Sequence, residues 1–467
     1  MKKLLSFTIG LLVVMGATTA TAQKQTPPEG GTPANFKLPP KQEFNLPNGL
    51  EATLVPFGEI PKVTVSMVVE AGNVHEGQNQ NGLADIVGKL MEEGTATRNG
   101  KQIADEVARM GGSLNVSVGP NQTTLYGSVL SEFGPELVML MSDVLQHPSF
   151  PESELARIKN DFKRQMNLAR SQPGTQAQEA FRSQLYPNHP YGRVMPTDKE
   201  IDSFTLEDVR RFYEEQFGAK RTNVYVAGKF DAGKTKQAIT SAFSDWKEGP
   251  APHIAVAKPV AKSTMQVIDR PGAPQSTIVF GLPVVDPSHP DYMALRITNA
   301  LLGGSFGSRI TRNIREDKGY TYSPSSYISS RYRVGEWAQT ADVTTEHTGN
   351  SLREIVYEIN RLRKEPPTEE ELQGIKNYAA GLFVLQNSTP GGIIGQLSFL
   401  DLHDLPDTYL TKQVEAIHAI TPQEVQATAE KYIRPGEMTL VVVGDKKQID
   451  KQLQQFQANL KKKPAAQ

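Results

Sequence analysis

Two stretches of this chain repeat one another, and any fold must accommodate the repeat. Thr205-Leu-Glu-Asp-Val209 opens a polar helix that leads to Thr222-Asn-Val-Tyr-Val-Ala-Gly228. Thr421-Pro-Gln-Glu-Val425 opens another that leads to Thr439-Leu-Val-Val-Val-Gly444. From first Thr to last Gly is 23 residues in both, and the copies lie 216 residues apart. Each copy opens with a helix cap and closes with a short apolar strand followed by another helix. A repeat unit this long makes two similar domains rather than a solenoid. The 467 residues leave room for two such halves, each with a core of its own.

The rest of the pattern fits that division. Lys2 and Lys3, an apolar run from Leu4 to Ala17 and the small residues Ala20-Thr21-Ala22 form a secretory signal, residues 1–22, cut after Ala22. The run is too short for a membrane span of roughly 20 residues, so the expected location is periplasmic or secreted, with no transmembrane anchor after cleavage. Residues 23–41 lack periodicity and read as a mobile lead-in. Residues 42–248 form the first domain, 249–263 a Pro-rich linker, 264–457 the second domain and 458–467 a basic tail.

Both domains begin with strands. Asn48-Gly49 is a hairpin turn between Glu43–Pro47 and Leu50–Pro56. Val63, Val65, Met67 and Val69 alternate as a half-buried strand would. Met265–Asp269 and Thr277–Gly281 are apolar runs of strand length. Helical patterns cover Leu83–Met91, Gln102–Met110, Gly134–Leu145 and Glu152–Ala169, then Asp291–Leu302, Asn350–Arg363 and Glu369–Gln386. Strands and helices mix without a regular βαβ alternation. The fold class is therefore α+β, two similar duplicated domains, each a mostly antiparallel sheet packed with helices.

Composition removes several function classes. With 50 Lys+Arg against 51 Asp+Glu, no net field draws the chain to nucleic acid or acidic lipid. With no cysteine there is no disulfide frame, no thiolate metal site and no cysteine nucleophile.

In the first domain, Leu83, Ile86, Val87, Leu90 and Met91 form one apolar stripe, with Asp85, Gly88 and Lys89 on the opposite face. Taken alone, Asp85 and Lys89 read as a solvated pair four residues apart, worth about 0.3–0.5 kcal/mol. The segment Asn81-Gly-Leu-Ala-Asp-Ile-Val-Gly-Lys-Leu-Met-Glu-Glu-Gly-Thr95 resembles the zinc helix of the pitrilysin/insulinase (M16) metallopeptidases. Their inverted motif H-x-x-E-H places two histidines on the metal and a glutamate between them as general base. Here Asp85 stands for the first histidine, Gly88 for the glutamate and Lys89 for the second histidine. Counting to the family's third ligand, a glutamate, lands on Gln165 in a helix of the right kind. A structural zinc site is worth roughly 10–16 kcal/mol, drawn from deprotonated donors. One carboxylate beside a lysine ammonium does not supply that. The resemblance therefore implies no metal, no cofactor and no catalytic residue in this chain.

The resemblance spans about Asn45 to Val443 and implies that each half has the LuxS/metallopeptidase-like form. It is stronger in the second domain. His289 to Arg309 is similar to the family's helix and glycine-rich turn, with Gly303, Gly304 and Gly307 in the turn. In Asn313-Ile-Arg-Glu-Asp-Lys-Gly-Tyr-Thr-Tyr-Ser323, Arg315 and Tyr322 match an Arg/Tyr pair that holds substrate backbone across the cleft from the zinc. A guanidinium and a phenol are suitable donors for a peptide carbonyl and for a developing oxyanion. Gly303-Gly304-Ser305-Phe306-Gly307 also matches G-x-S-x-G, but a nucleophile elbow needs a strand before it, and a helix is expected there. His189, beside Pro190, reads as a loop residue.

In the bacterial branch of the family, one subunit may carry the zinc motif and its partner the Arg/Tyr pair. The implied role is the non-catalytic subunit of a heterodimeric periplasmic zinc peptidase. It would complete a cleft for peptide substrates, with a zinc-bearing homologue as partner and the zinc in that partner. The alternative is a peptidase-dead scaffold or peptide-binding protein without a catalytic partner.

Overall fold

Eleven strands form two sheets, and the sheets carry the duplication further than the repeated segments did. In the computed structural model, which describes residues 34–461, the first sheet contains β1 (Gln42–Asn45), β2 (Glu51–Pro56), β3 (Lys62–Val69), β4 (Ser113–Val118), β5 (Thr123–Leu130) and β6 (Thr222–Gly228). The second contains β7 (Thr264–Asp269), β8 (Gln275–Val284), β9 (Ser325–Arg331), β10 (Val334–Thr344) and β11 (Thr439–Gly444). The strand orders are β1-β2-β6-β3-β5-β4 and β7-β11-β8-β10-β9. Remove β1, and the second order is the first again. The pairing directions repeat as well: β2–β6 and β7–β11 are parallel and every other pair is antiparallel. The mostly antiparallel α+β expectation holds. The signal segment 1–22 lies outside the described residues.

Local chemistry places most elements where the sequence puts them. Gly49 sits at φ +89°, which a side chain would resist, and closes the β1–β2 hairpin. Thr205 and Thr421 each accept a bond from the backbone three residues on, and Asp208 and Glu424 return it. These are reciprocal capping boxes at equivalent points of the two copies. The helix expected over Asp291–Leu302 differs. It runs over Tyr292–Asn299 and then widens into a π-type turn over Ala300–Gly304. There Asn299 Oδ1 accepts from Ser326 Oγ at 2.7 Å and Trp337 Nε1 at 2.8 Å, tying the turn to β9 and β10.

One sequence expectation fails for a tertiary reason. The alternation in β3 predicts one wet face, yet the strand is buried on both faces after Lys62. Val63, Val65, Met67 and Val69 face the first domain's own core. Val68, on the other face, packs with Val55, Tyr225 and Ala227 against Ile393, Ile394 and Leu397. Those last three belong to the helix Pro390–His403, which comes from the second half of the chain. The exchange is mutual. The helix Pro173–Leu185 of the first half lays Ala177, Phe181 and Leu185 on Val279, Ala338, Val441 and Val443 of the second sheet. Pro173 and Pro390 stand at the repeat offset to within one residue, each at a helix start, where a missing N–H costs nothing. Each half thus covers the other's sheet, and the described residues from Asn35 onward cluster as one unit.

The connecting segments are also more ordered than their composition suggests. Phe36 and Leu38 of the expected mobile lead-in pack against both halves, Phe36 edge-on to Phe383 at 5.3 Å between ring centres. Lys41 pairs with Asp407 at 2.8 Å. The linker buries Ile254 and Ala257, and its carbonyls at Pro250 and Ala251 accept from the buried Arg221. Pro-rich sequence lacks periodicity, but it still carries apolar side chains and carbonyls that a neighbouring surface can use. At the other end, the helix Lys446–Lys461 continues into the expected tail.

Candidate functional site

The helix that resembles the zinc helix, Leu83–Glu92, is seated by a residue the sequence reading passed over. Glu76 Oε1 accepts from the backbone N–H of Gly82 and Ala84, both at 3.0 Å, and from Asn73 Nδ2 at 3.2 Å. The two backbone donors occupy the helix N-terminus, where orphan N–H groups and the macrodipole favour a carboxylate. Burial nevertheless pushes the Glu76 carboxyl up to about 7. A lone glutamate in a loop ahead of a helix is a weak sequence signal, which is why it escaped notice.

Asp85, Gly88 and Lys89 do not form the solvated face expected of them. Asp85 and Lys89 are half-buried, and Gly88 is fully buried against β4. Asp85 Oδ2 accepts from Asn73 Nδ2 at 2.8 Å. Burial raises its carboxyl above the usual range, against that bond and the nearby Lys89 charge. No ion pair joins Asp85 to Lys89 among the described residues. A Cβ at Gly88 would stand 2.7 Å from Val118 Cγ2 and 3.5 Å from Val116 Cγ1. The side chain of a general base has no room there, because β-branched valines cannot swing aside cheaply. Gly88→Glu should therefore destabilise the fold by about 1–3 kcal/mol, read as a lower denaturant midpoint at unchanged slope. An unchanged midpoint would show that β4 yields freely.

Gln165 is exposed on its helix, Glu152–Ser171. The neighbouring Met166 and Phe162 instead line a cavity beside Asp85. The position that faces the degenerate site is thus a thioether, not the amide reached by counting. Among the described residues no three His, Cys, Asp or Glu side chains converge as a metal site. The donors present at the former motif do not fit zinc: one hydrogen-bonded carboxylate, one ammonium and a methionine.

The second-domain residues come together as a group. Arg315 lies on the turn Arg312–Asp317, and Tyr322 follows seven residues later. The Arg315 guanidinium stacks 4.3 Å from the Phe306 ring centre and 5.1 Å from that of Tyr322. Phe306 belongs to the glycine-rich turn, so the turn and the Arg/Tyr pair form one feature. Both rings are open to solvent, Phe306 at 68% and Tyr322 at 80% of full exposure. No carboxylate lies within ion-pair range of Arg315 among the described residues. Both rings lie against the guanidinium, and among the described residues no hydrogen bond engages its N–H groups. Phe306 was not singled out from sequence; an exposed aromatic amid glycines was the signal available.

The three glycines of that turn differ in their reasons. A Cβ at Gly303 would meet Gln339 Oε1 and Ser326 Oγ, both at 2.6 Å, so the turn touches β9 and β10 only because Gly303 is bare. At Gly304 the obstacle is Asn299 Nδ2, and at Gly307 nothing lies within 4 Å. Ser305 follows a helical turn rather than a strand, so it has no elbow geometry. His189 is a loop residue: Nε2 donates to the Ala255 carbonyl at 2.9 Å, bracing the linker.

Comparison with known proteins fits this duplicated fold. The model of "Insulinase (Peptidase family M16)" matches residues 59–198, and that of "Peptidase M16 inactive domain" matches residues 203–378. The chain belongs to the M16 family. Among M16 relatives, an "uncharacterized zinc protease" of Rickettsia felis is 25% identical over 353 residues, 74% of this chain and 84% of that protein. A "non-peptidase homolog YmxG" of Helicobacter pylori is 22% identical over 421 residues, 85% and 96% of the two chains. The crystal structure of an M16 inactive domain from Pseudomonas fluorescens superposes with a TM-score of 0.80 at 24% identity, covering 86% of this chain and 98% of that one. A protease from Helicobacter pylori gives 0.81 at 19%, covering 87% and 100%. The fold is that of the M16 family, and Asp85, Gly88 and Lys89 stand where its zinc motif would be. No helix among the described residues is long and apolar enough to cross a membrane.

Proposed function

We propose that this M16 chain is the non-catalytic subunit of a heterodimeric zinc peptidase in the periplasm. Arg315 and Tyr322 complete the peptide cleft of a partner that carries an intact H-x-x-E-H helix and the zinc. The observation that carries this reading is the Phe306–Arg315–Tyr322 cluster, a half-buried cation against two exposed rings, with no carboxylate to pair among the described residues. Holding a guanidinium against two solvent-facing rings orders side chains at an entropic cost of about 1.5–2 kcal/mol for an arginine. A peptide carbonyl or the oxyanion that develops from it repays that cost, because it accepts from the guanidinium edge and the phenol together. The chain's own degenerate helix offers no hydrolytic chemistry, so the reacting bond belongs in another subunit. The name of the Helicobacter relative, a non-peptidase homolog, supports a retained fold without its own hydrolysis.

The test is purification of the tagged chain from its native envelope, with co-purifying proteins identified by mass spectrometry. The expected result is a stoichiometric M16 homologue with an intact zinc helix. Recovery of this chain alone, or with partners lacking that helix, would turn the assignment to a peptide-binding scaffold.

A further inference from the structure

A cavity of about 520 Å³ opens within the second half, among the helices Tyr292–Asn299, Pro390–His403 and Gln413–Ala419. Two tyrosines on its wall have their hydroxyls out of play. Tyr292 is bonded to Ser330 Oγ at 2.7 Å, and the Tyr409 hydroxyl is sealed in the interior. That leaves Arg296, Gln386, Gln396 and Gln413. None of these four side chains makes a hydrogen bond or an ion pair among the described residues, and none of their polar atoms is sealed from the cavity. Gln413 is the most telling. It is only 3% exposed, and an amide so deeply placed almost always has a protein partner. Arg296 is half-buried and equally uncommitted, whereas Arg309 of the same half is clasped at two points by Glu371, both at 2.7 Å. Neither this cavity nor the adjoining one of about 210 Å³, which shares Arg296 and Gln386, has an Asp, Glu or Lys in its wall.

The wall selects a ligand by its charge. One guanidinium neutralises one negative charge, and its fork suits a carboxylate in two-point contact. A dianion would keep a charge unmatched, and a zwitterion would bring an ammonium where no carboxylate waits for it. The three amides offer donors and acceptors together, as a hydroxyl needs. The rings of Phe399 and Tyr409, with centres 6.0 Å apart, supply an apolar surface for the carbon skeleton. We propose that this cavity binds a small hydroxylated monocarboxylate, with Arg296 taking the carboxylate and Gln386, Gln396 and Gln413 taking the hydroxyls. The cavity shares no wall residue with the Phe306–Arg315–Tyr322 cluster, so the assignment does not depend on a partner subunit.

Calorimetric titration of the purified full chain with glucuronate tests it, alongside glucuronamide, propionate and inorganic phosphate. Saturable glucuronate binding is expected. Glucuronamide, which lacks the charge, should bind about tenfold more weakly or worse, the least that a hydrogen bond to a charged group is worth. Glucuronate should lose as much on Arg296→Gln, whose melting temperature should stay at the parent's because the guanidinium has no protein partner to lose. Propionate, which lacks the hydroxyls, and phosphate should both bind more weakly than glucuronate. Should Arg296→Gln fail to fold, the comparison of acid with amide on the parent decides. No saturable binding, equal binding of acid and amide, or full affinity in folded Arg296→Gln would overturn the site. Propionate or phosphate binding as tightly as glucuronate would overturn the ligand class.

Discussion

Arg315→Ala is expected to lower kcat/KM of the mixed complex by about 10²–10³-fold, the range for losing one preorganised donor to an oxyanion. Assembly should be unchanged, because Arg315 holds no ion pair within its own chain and its stacking partners are exposed rings. Tyr322→Phe keeps the ring that steadies the guanidinium and removes only the phenol donor. Its loss should be smaller, about fivefold, in line with a neutral hydrogen bond of roughly 1 kcal/mol net. The measurement is hydrolysis of a quenched-fluorescent peptide by the reconstituted pair, with gel filtration to confirm association. Full activity in Arg315→Ala complexes would remove the residue from the cleft.

Phe181→Ala is expected to destabilise the whole chain by about 3–5 kcal/mol, the usual range for emptying a phenylalanine site in a packed core. Phe181 is completely buried, yet the sheet it covers belongs to the other half. Its loss therefore weakens an interlock as well as a core. Because the helix Pro390–His403 makes the reciprocal contact, both halves should unfold in one transition that shifts as a whole. Calorimetry of parent and variant distinguishes the cases. Two transitions, of which Phe181→Ala moves only one, would show that the halves fold independently.

Much of the architecture was legible because its causes are local. The capping boxes at Thr205 and Thr421, the Asn48-Gly49 turn and the apolar stripe of Leu83–Met91 each act within a few residues. The loss of the zinc motif was legible too, since ligand chemistry depends on residue identity at fixed spacing. The surroundings of those positions were not. Gly88 was read by what a glycine cannot do to a proton, whereas the structure adds that Val118 fills its space. Gln165 was reached by counting, but a helix shows only one side to a cleft, and that side carries Phe162 and Met166.

By itself the sequence determined the duplication, the α+β class, the resemblance to the M16 family and which residues stand at its motif positions. Those follow from periodicity, turn chemistry and residue identity, which are properties of short segments. Only the tertiary structure decided that β3 is buried on both faces, that the halves trade helices and that Phe306 and Tyr322 both lie against Arg315. Each depends on which distant surface arrives at a given face. Burial energy is non-directional and carries no mark in the local pattern of the residue it covers.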